Sequence, residues 1–283
     1  MWGYVNMAAV PEPHIVSSSN EYKLNNPPAD LISNVQFAPD GSKFLLTSSW
    51  DSSVRLYELG VSCTSTFCRS SYQHQGPVLD CTFLDNPAKC ASAGLDNFVK
   101  MYDFNSSAET ILGAHEKPVR CVEYSSEMSL LITGSWDSTI KLWDSRTARC
   151  TSCLPQSERV YTMTLSGDRL IVGTAGRKVY IWNLRNMAAP EQKRDSSLKY
   201  QTRCIRAFPN KQAFVLASIE GQNFYSCFSK YPTSISALTF SADGSTLAIA
   251  ASYQYEQPEN PNPIPEDAIF IRKLTDQETR TKI

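Results

Sequence analysis

The sequence contains two sets of side chains whose residue types match those of a nucleophilic catalytic site. His74 is followed by Ser92 after eighteen residues and by Asp96 after twenty-two. The same types recur at the same spacing in His115, Thr133 and Asp137. In a catalytic triad, an imidazole between a hydroxyl and a carboxylate accepts the proton of the attacking hydroxyl. Because a triad occurs once in an active site whereas this set recurs, the repetition favours a structural role, and we do not expect an enzyme.

The recurring set belongs to a longer sequence repeat. In three copies, a small hydroxyl residue precedes an aspartate by four positions, and an aromatic residue follows that aspartate after six. The copies are Thr47, Asp51 and Tyr57; Ser92, Asp96 and Tyr102; and Thr133, Asp137 and Trp143. A fourth copy keeps the aromatic residue, Trp182, but has Gly176 at the aspartate position. The closing aromatic residues lie 45, 41 and 39 positions apart, which is the period of four-stranded propeller blades.

Local patterns within the repeat predict strands joined by tight turns. The segment STIKLW, at 138–143, alternates polar and apolar residues, as a half-buried strand does. Asp-Gly pairs at 40–41 and 243–244 are typical of hairpin turns. In this type of repeat the histidine bridges the turn aspartate and the strand hydroxyl, and the hydroxyl accepts a hydrogen bond from the closing tryptophan. The candidate catalytic residues are therefore predicted to hold each blade together.

These elements predict an all-β propeller of about six blades over residues 21–275. Residues 1–20 are expected to form a disordered N-terminal extension, and residues 276–283 a C-terminal tail. The segment EYKL, at 21–24, is expected to supply the outer strand of the last blade. Such a strand closes the ring and removes an open sheet edge.

Composition limits the classes of partner. The formal net charge of −1 provides no overall positive field for nucleic acid or an anionic membrane, so neither is an expected partner. The N-terminus lacks a basic leader and a continuous apolar run, which predicts a cytosolic or nuclear protein. Nine cysteines without an export signal favour reduced thiols. Cys150 and Cys153 lack the second ligand pair of a zinc site, so no metal or cofactor is expected.

Two longer segments extend the pattern to a known family. Together with the repeats, residues 196–221 and 231–256 closely resemble the WD-repeat proteins of the mitotic spindle checkpoint in the Bub group (budding uninhibited by benzimidazoles, third member). The resemblance implies a non-catalytic scaffold that binds linear motifs of a checkpoint kinase and its pseudokinase relative, and phosphothreonine repeats on a kinetochore scaffold. It further implies a location in the nucleus and at kinetochores with a cytoplasmic pool, and a part in restraining the anaphase-promoting ubiquitin ligase.

Three residues are predicted to bind the partner motif. Trp50 and Trp136 occupy the same turn of two repeats, and Leu95 takes that place in the repeat between them. Because rotation about a propeller axis puts equivalent turns on one face, the two indoles are predicted to form an anchor pair, and buried tryptophans are frequent hot spots. The resemblance implies that tryptophans in these turns line the motif-binding groove. It also implies that Arg203 pairs with acidic residues of the motif.

The chain departs from the family in its second half. The resemblance implies a ring of seven blades, whereas about one and a half repeats are missing from this chain after Gly221. Gln222 stands where the family has an arginine associated with phosphothreonine binding, and a neutral amide cannot make the charge-assisted bond to phosphate. We therefore expect an imperfect seam near 218–232 and weakened phosphopeptide binding.

The sequence leaves two alternatives to a checkpoint scaffold open. A related family of nuclear messenger-RNA export propellers shares the doubled SWD turn, which makes an adaptor that binds a nucleoporin motif the main alternative. In that case Lys193, Arg194 and Lys199 would form a patch for RNA. Alternatively, the shortened chain misfolds and binds nothing.

Overall fold

The computed structural model of the chain describes residues 21–41, 43–60, 66–207, 214–217, 231, 233–253 and 265–274. The predicted N-terminal extension and C-terminal tail lie outside these ranges. The described residues form the following strands: β1 Glu21–Lys23, β2 Ile32–Phe37, β3 Phe44–Ser49, β4 Ser53–Leu59, β5 Thr66–Gln73, β6 Val78–Phe83, β7 Lys89–Gly94, β8 Phe98–Asp103, β9 Ala108–Ala114, β10 Val119–Ser125, β11 Leu130–Ser135, β12 Thr139–Asp144, β13 Arg149–Pro155, β14 Val160–Ser166, β15 Arg169–Thr174, β16 Lys178–Asn183, β17 Gln192–Asp195, β18 Cys204–Ala207, β19 Phe214–Ala217, β20 Ile235–Phe240, β21 Thr246–Ala251 and β22 Ala268–Lys273.

The strands form five four-stranded antiparallel sheets and one two-stranded sheet. Blades 1 to 4 are β2–β5, β6–β9, β10–β13 and β14–β17. The half sheet is β18 with β19, and the closing sheet has the order β1-β22-β21-β20. The all-β propeller is confirmed, but six complete blades are not, because the described residues contain five four-stranded sheets. The half sheet has two strands where the sequence predicts a full blade.

The N-terminal strand completes the closing sheet. Tyr22 of β1 pairs with Ile271 of β22, and the Leu24 N–H donates to the Ile269 carbonyl at 2.7 Å. The predicted role of residues 21–24 is thereby confirmed. The first and last described strands thus share one sheet, in which β22 has a neighbour on both edges.

Apolar packing between neighbouring sheets forms the core. Val78 on the innermost strand of blade 2 lies in one buried cluster with Leu46 and Val54 from the two middle strands of blade 1. The same arrangement recurs for Val119 on Ala93 and Val99, for Val160 on Ile140, and for Ile205 on Ile171 and Val179. Each fully buried aliphatic side chain contributes about 1.5–3 kcal/mol, so these contacts fix the order and tilt of the sheets.

One innermost strand lacks this cover. Ile235, Leu238 and Phe240 of β20 are 47%, 51% and 53% exposed. By strand register Leu238 corresponds to Val122 of blade 3, which is 3% exposed. The preceding half sheet has no third strand among the described residues to receive these side chains. An uncovered face on β20 is therefore where the shortened chain departs from a closed propeller; most of the predicted seam itself, at 218–230 and 232, lies outside the described residues.

This difference in burial predicts different costs for one substitution at two equivalent positions. Val122→Thr places a hydroxyl in a closed apolar contact and should lower the free energy of unfolding by about 1–3 kcal/mol. Leu238→Thr changes a half-exposed side chain and should cost less than about 1 kcal/mol. Urea denaturation of the two variants measures the contrast. Equal losses would show that β20 is covered in solution.

Candidate partner-binding face

The turns that carry the two predicted anchor tryptophans have the same backbone geometry. The Trp50 N–H donates to the Leu31 carbonyl at 2.9 Å, and the Trp136 N–H to the Pro118 carbonyl at 3.0 Å. The carbonyl in each case belongs to the residue before the innermost strand. Equivalent bonds join Leu95 to Pro77, Ala175 to Arg159, and Ser252 to Ser234. Because the inner strands lie side by side in chain order, these five turns share one end of the sheets, which we call the turn face.

Side chains within each turn fix the backbone next to the tryptophan. Asp137 Oδ1 accepts a hydrogen bond from the Thr139 N–H at 2.9 Å, and this bond closes the turn over Ser138 in its left-handed conformation, with φ 66°. Asp51, Ser53 and Ser52 repeat the arrangement in blade 1. Trp50 is 43% exposed and Trp136 is partly buried. The structure thus brings both indoles to the turn face, on blades separated by blade 2.

Arg203 lies at the same end of the molecule. It directly precedes β18, and its guanidinium lies 5.6 Å from the centroid of the Tyr161 ring in blade 4. The position of β18 beside β14 is fixed by a hydrogen bond of 2.9 Å from the Ile205 N–H to Thr162 Oγ1. Arg203 is exposed, so its charge is available to a ligand on the turn face.

In blade 3 the predicted polar network is complete. His115 Nδ1 lies 2.9 Å from Asp137 Oδ2, and His115 Nε2 lies 2.8 Å from Thr133 Oγ1. Thr133 Oγ1 also accepts the Trp143 indole N–H at 2.8 Å. Burial lowers the pKa of His115, and Asp137 only partly opposes this. Burial raises the pKa of Asp137, but hydrogen bonds from Thr139 and His115 outweigh it and leave the pKa below its ordinary value.

Blade 2 brings the same residue types together with a different fourth member. His74 joins Asp96 at 2.8 Å and Ser92 at 2.7 Å. The Tyr72 hydroxyl lies 2.6 Å from Ser92 Oγ, in the place that the closing tryptophan takes in blade 3. Tyr102, the closing aromatic residue of this blade, stacks on Tyr72 with centroids 4.3 Å apart. The sequence repeat gave no signal for Tyr72, because it lies outside the repeated segment.

Blades 1 and 4 have incomplete networks. Thr47 and Asp51 are not joined by a histidine: Asp51 binds Arg55 at 2.8 Å, and Thr47 Oγ1 has no partner among the described residues. In blade 4 the Trp182 indole N–H has no acceptor within the same ranges. Val172 pairs with Tyr180 there, just as Thr133 pairs with Lys141, so a methyl group replaces the accepting hydroxyl.

The two complete networks resemble a triad in connectivity but not in access. Ser92 and Thr133 are fully buried, and each hydroxyl contacts a second side chain besides its histidine. A nucleophile must be reachable by substrate. These hydroxyls therefore satisfy buried polar groups inside a blade.

The seven cysteines that the structure describes are free thiols. No helix in the described ranges is long and apolar enough to span a membrane.

The sheets and their recurring histidine networks define a WD-repeat propeller, and the family model "WD domain, G-beta repeat" matches residues 16–58, 62–103 and 106–144. "Mitotic checkpoint protein BUB3.1" of Arabidopsis thaliana is 39% identical over 94% of this chain and 96% of its own length. "Mitotic checkpoint protein bub-3" of Caenorhabditis elegans is 34% identical over 95% and 98%. The chain belongs to this Bub3 family of mitotic checkpoint proteins.

Two relatives differ from this chain in the length of sequence that aligns with it. The alignment with the Arabidopsis protein runs over 336 positions and this chain has 283 residues, so at least 53 positions of that relative have no counterpart here. This length agrees with the predicted loss of more than one repeat. "mRNA export factor GLE2" of Chaetomium thermophilum is 37% identical, but over 72% of this chain and 58% of its own length.

Exchanging the network residue between blades 3 and 4 tests its contribution. Thr133→Val removes the acceptor of the Trp143 N–H and a partner of His115, and should lower the free energy of unfolding by about 1–3 kcal/mol. Val172→Thr, the reverse change, offers the Trp182 N–H an acceptor and should not destabilise. Thermal and urea unfolding of both variants measures the change in the free energy of unfolding. Equal destabilisation of the two variants would mean that side-chain shape, and not the hydroxyl group, determines stability at these positions.

The lowered pKa of His115 predicts a dependence of stability on pH. Below about pH 6.5 this imidazole becomes protonated in the unfolded chain at a higher pH than in the folded protein. The stabilisation of the folded state by His115 therefore decreases as the pH falls. His115→Gln introduces the residue found at the matching position of blade 4, Gln156. It should be less stable than the parent at pH 7.5 and lose less stability between pH 7.5 and 5.5. A parallel fall in melting temperature for the two proteins would contradict this assignment.

Proposed function

We propose that this chain is a non-catalytic scaffold of the spindle assembly checkpoint that binds short linear motifs of a checkpoint kinase and its pseudokinase relative. The observation that carries the proposal is the equivalent backbone hydrogen bond of the Trp50 and Trp136 turns, which supports a pair of anchor residues on the turn face. Similarity to checkpoint proteins over nearly the whole chain supports it.

The physical basis is burial of two aromatic anchors beside a positive charge. Truncating an indole that is buried in a complex costs about 2 kcal/mol or more. Arg203 supplies a planar guanidinium, which binds a carboxylate through two parallel hydrogen bonds. Its contact with Tyr161 reduces the conformational entropy that binding must remove. A motif with apolar residues and a nearby acidic residue fits this arrangement.

The wider role follows from the family. We propose that the bound kinases are recruited to phosphothreonine repeats at kinetochores, in support of inhibition of the anaphase-promoting complex, and that the protein is nuclear and kinetochore-bound with a cytoplasmic pool. Gln222, predicted to weaken phosphothreonine binding, lies outside the described residues. We further propose that the half sheet is the remnant of a sixth blade.

A second candidate function is messenger-RNA export. Similarity to the export factor of Chaetomium thermophilum favours it, although that similarity covers 58% of the relative. In this case the turn face would bind a nucleoporin motif. Affinity capture from mitotic and interphase extracts separates the two functions, because recovery of nucleoporin and RNA without checkpoint kinases would select export.

Calorimetry with a kinase-motif peptide tests the proposed site. Trp136→Ala should weaken binding at least about tenfold, which corresponds to about 1.4 kcal/mol. Phe67→Ala is the matched control, because Phe67 is also exposed but lies on β5 near the opposite end of blade 1. It should leave affinity unchanged. Equal affinity of the peptide for Trp136→Ala and for the parent would exclude Trp136 from the binding site.

A further inference from the structure

Blade 4 and the start of the half sheet carry an excess of positive charge. Residues 156–206 include ten lysines or arginines and four aspartates or glutamates, in a chain whose net charge is −1. Two of the acidic residues form ion pairs away from the turn face: Glu191 with Arg169, and Asp168 with Arg185. Of the remaining cations, Arg206 lies on the inner strand β18 and interacts with Glu123 and Asp80, and the others lie towards the turn face.

Several of these cations are held in place by aromatic rings rather than by carboxylates. Lys193 Nζ lies 6.0 Å from the centroid of the Tyr180 ring, and Lys199 Nζ lies 5.3 Å from that of Tyr200. Arg203 makes the corresponding contact with Tyr161. Within the described ranges, no carboxylate lies at ion-pair distance from Lys193, Arg194, Lys199 or Arg203. Their positive charges are thus not neutralised by a carboxylate within these ranges.

An open pocket lies among these residues. Its volume is about 260 Å³, and Lys178, Tyr180, Lys193, Arg194 and Asp195 line it. Lys178 is paired with Asp195, so the net charge of the lining is positive. We call this pocket on β16 and β17 the basic rim.

The basic rim adjoins the turn of Trp136. The Tyr180 hydroxyl lies 2.7 Å from Ser157 Oγ, in the loop between blades 3 and 4. One residue earlier, the Gln156 N–H donates to the Ser138 carbonyl of the tryptophan turn at 2.8 Å. A peptide anchored at Trp136 can therefore continue to Lys193, which pairs with Tyr180, and an extended segment along β17 then reaches Arg194 on the other face of the blade.

We propose that the basic rim binds an acidic stretch of polypeptide that flanks the motif held on the turn face; the connection to the motif rests on the proposed function, whereas binding of the acidic stretch does not. An extended segment matches the outer strand β17, whose second edge pairs with no described strand. Its carboxylates would lie on Lys193 and Arg194 and form charge-assisted hydrogen bonds.

The observations favour polypeptide over nucleic acid. A single-stranded nucleic acid binds by stacking its bases on aromatic faces within a positive groove. Here a lysine or arginine of the chain itself lies over the rings of Tyr180, Tyr200 and Tyr161, and Asp195 adds a negative charge to the pocket. An acidic polypeptide can place an uncharged residue opposite Asp195, whereas every nucleotide linkage of a nucleic acid carries a charged phosphate.

Fluorescence anisotropy with labelled octaglutamate, on the full chain at low ionic strength, tests the proposal. The double variant Lys193→Gln with Arg194→Gln should weaken binding at least about fivefold. The control, Arg146→Gln with Arg149→Gln, removes the same charge from exposed positions of blade 3 near the other ends of its strands and should change affinity less than about twofold. Melting temperatures of both variants verify folding.

Three outcomes would overturn the proposal: absence of octaglutamate binding, equal weakening by the two double variants, or tighter binding of decauridylate than of octaglutamate at the same site. Trp136→Ala should leave octaglutamate binding unchanged. Loss of motif-peptide binding in that variant, with octaglutamate binding intact, separates the turn face from the basic rim. The two proposals can therefore fail independently.

Discussion

The packing of each innermost strand on the middle strands of the preceding sheet is the constraint on which the rest of this structure depends. It holds Val78 on blade 1 and Val119 on blade 2, and so aligns successive sheets with their corresponding ends on one side. The tryptophan turns lie on one side of the propeller because the sheets are aligned in this way. Because a side-chain position on one turn is repeated on the others, a binding face is assembled from residues that are distant in the chain.

Polar networks add to this packing unequally. The complete sets around His74 and His115 satisfy several buried groups at once, whereas Thr47 and Trp182 keep buried polar atoms without partners in the described part of the chain. Unsatisfied groups of this kind cost about 1–3 kcal/mol each. Asn97 Oδ1 in blade 2 and the Trp136 indole N–H in blade 3 are also buried without partners in the described part of the chain, so blades 2 and 3 differ from blades 1 and 4 in their complete histidine networks and not in the satisfaction of every polar group. Blade 3 carries one of the two anchor turns, that of Trp136, and lies next to the basic rim.

Much of this architecture was accessible from sequence because the repeat is periodic. Spacing of aspartates and closing aromatic residues located blades 1 to 4, and the N-terminal strand was recognised as the outer strand of the closing sheet. Contacts made by residues outside the repeat were not accessible. The bond from Tyr72 to Ser92 replaces the expected tryptophan donor, and the cation over Tyr180 comes from a neighbouring strand. The exposure of β20 depends on which sheet precedes it, and the sequence of Ile235–Phe240 does not indicate whether that sheet covers the strand.

On the proposed turn face, one ligand engages Trp50 and Trp136 together. Fluorotryptophan incorporated at the five tryptophans of the chain provides a fluorine NMR signal for each, assigned by single Trp→Phe variants. During titration with the kinase-motif peptide, the signals of Trp50 and Trp136 should shift with one midpoint, while those of the buried Trp143 and Trp182 stay in place. A shift of only one anchor signal, or shifts confined to Trp143 and Trp182, would contradict the account.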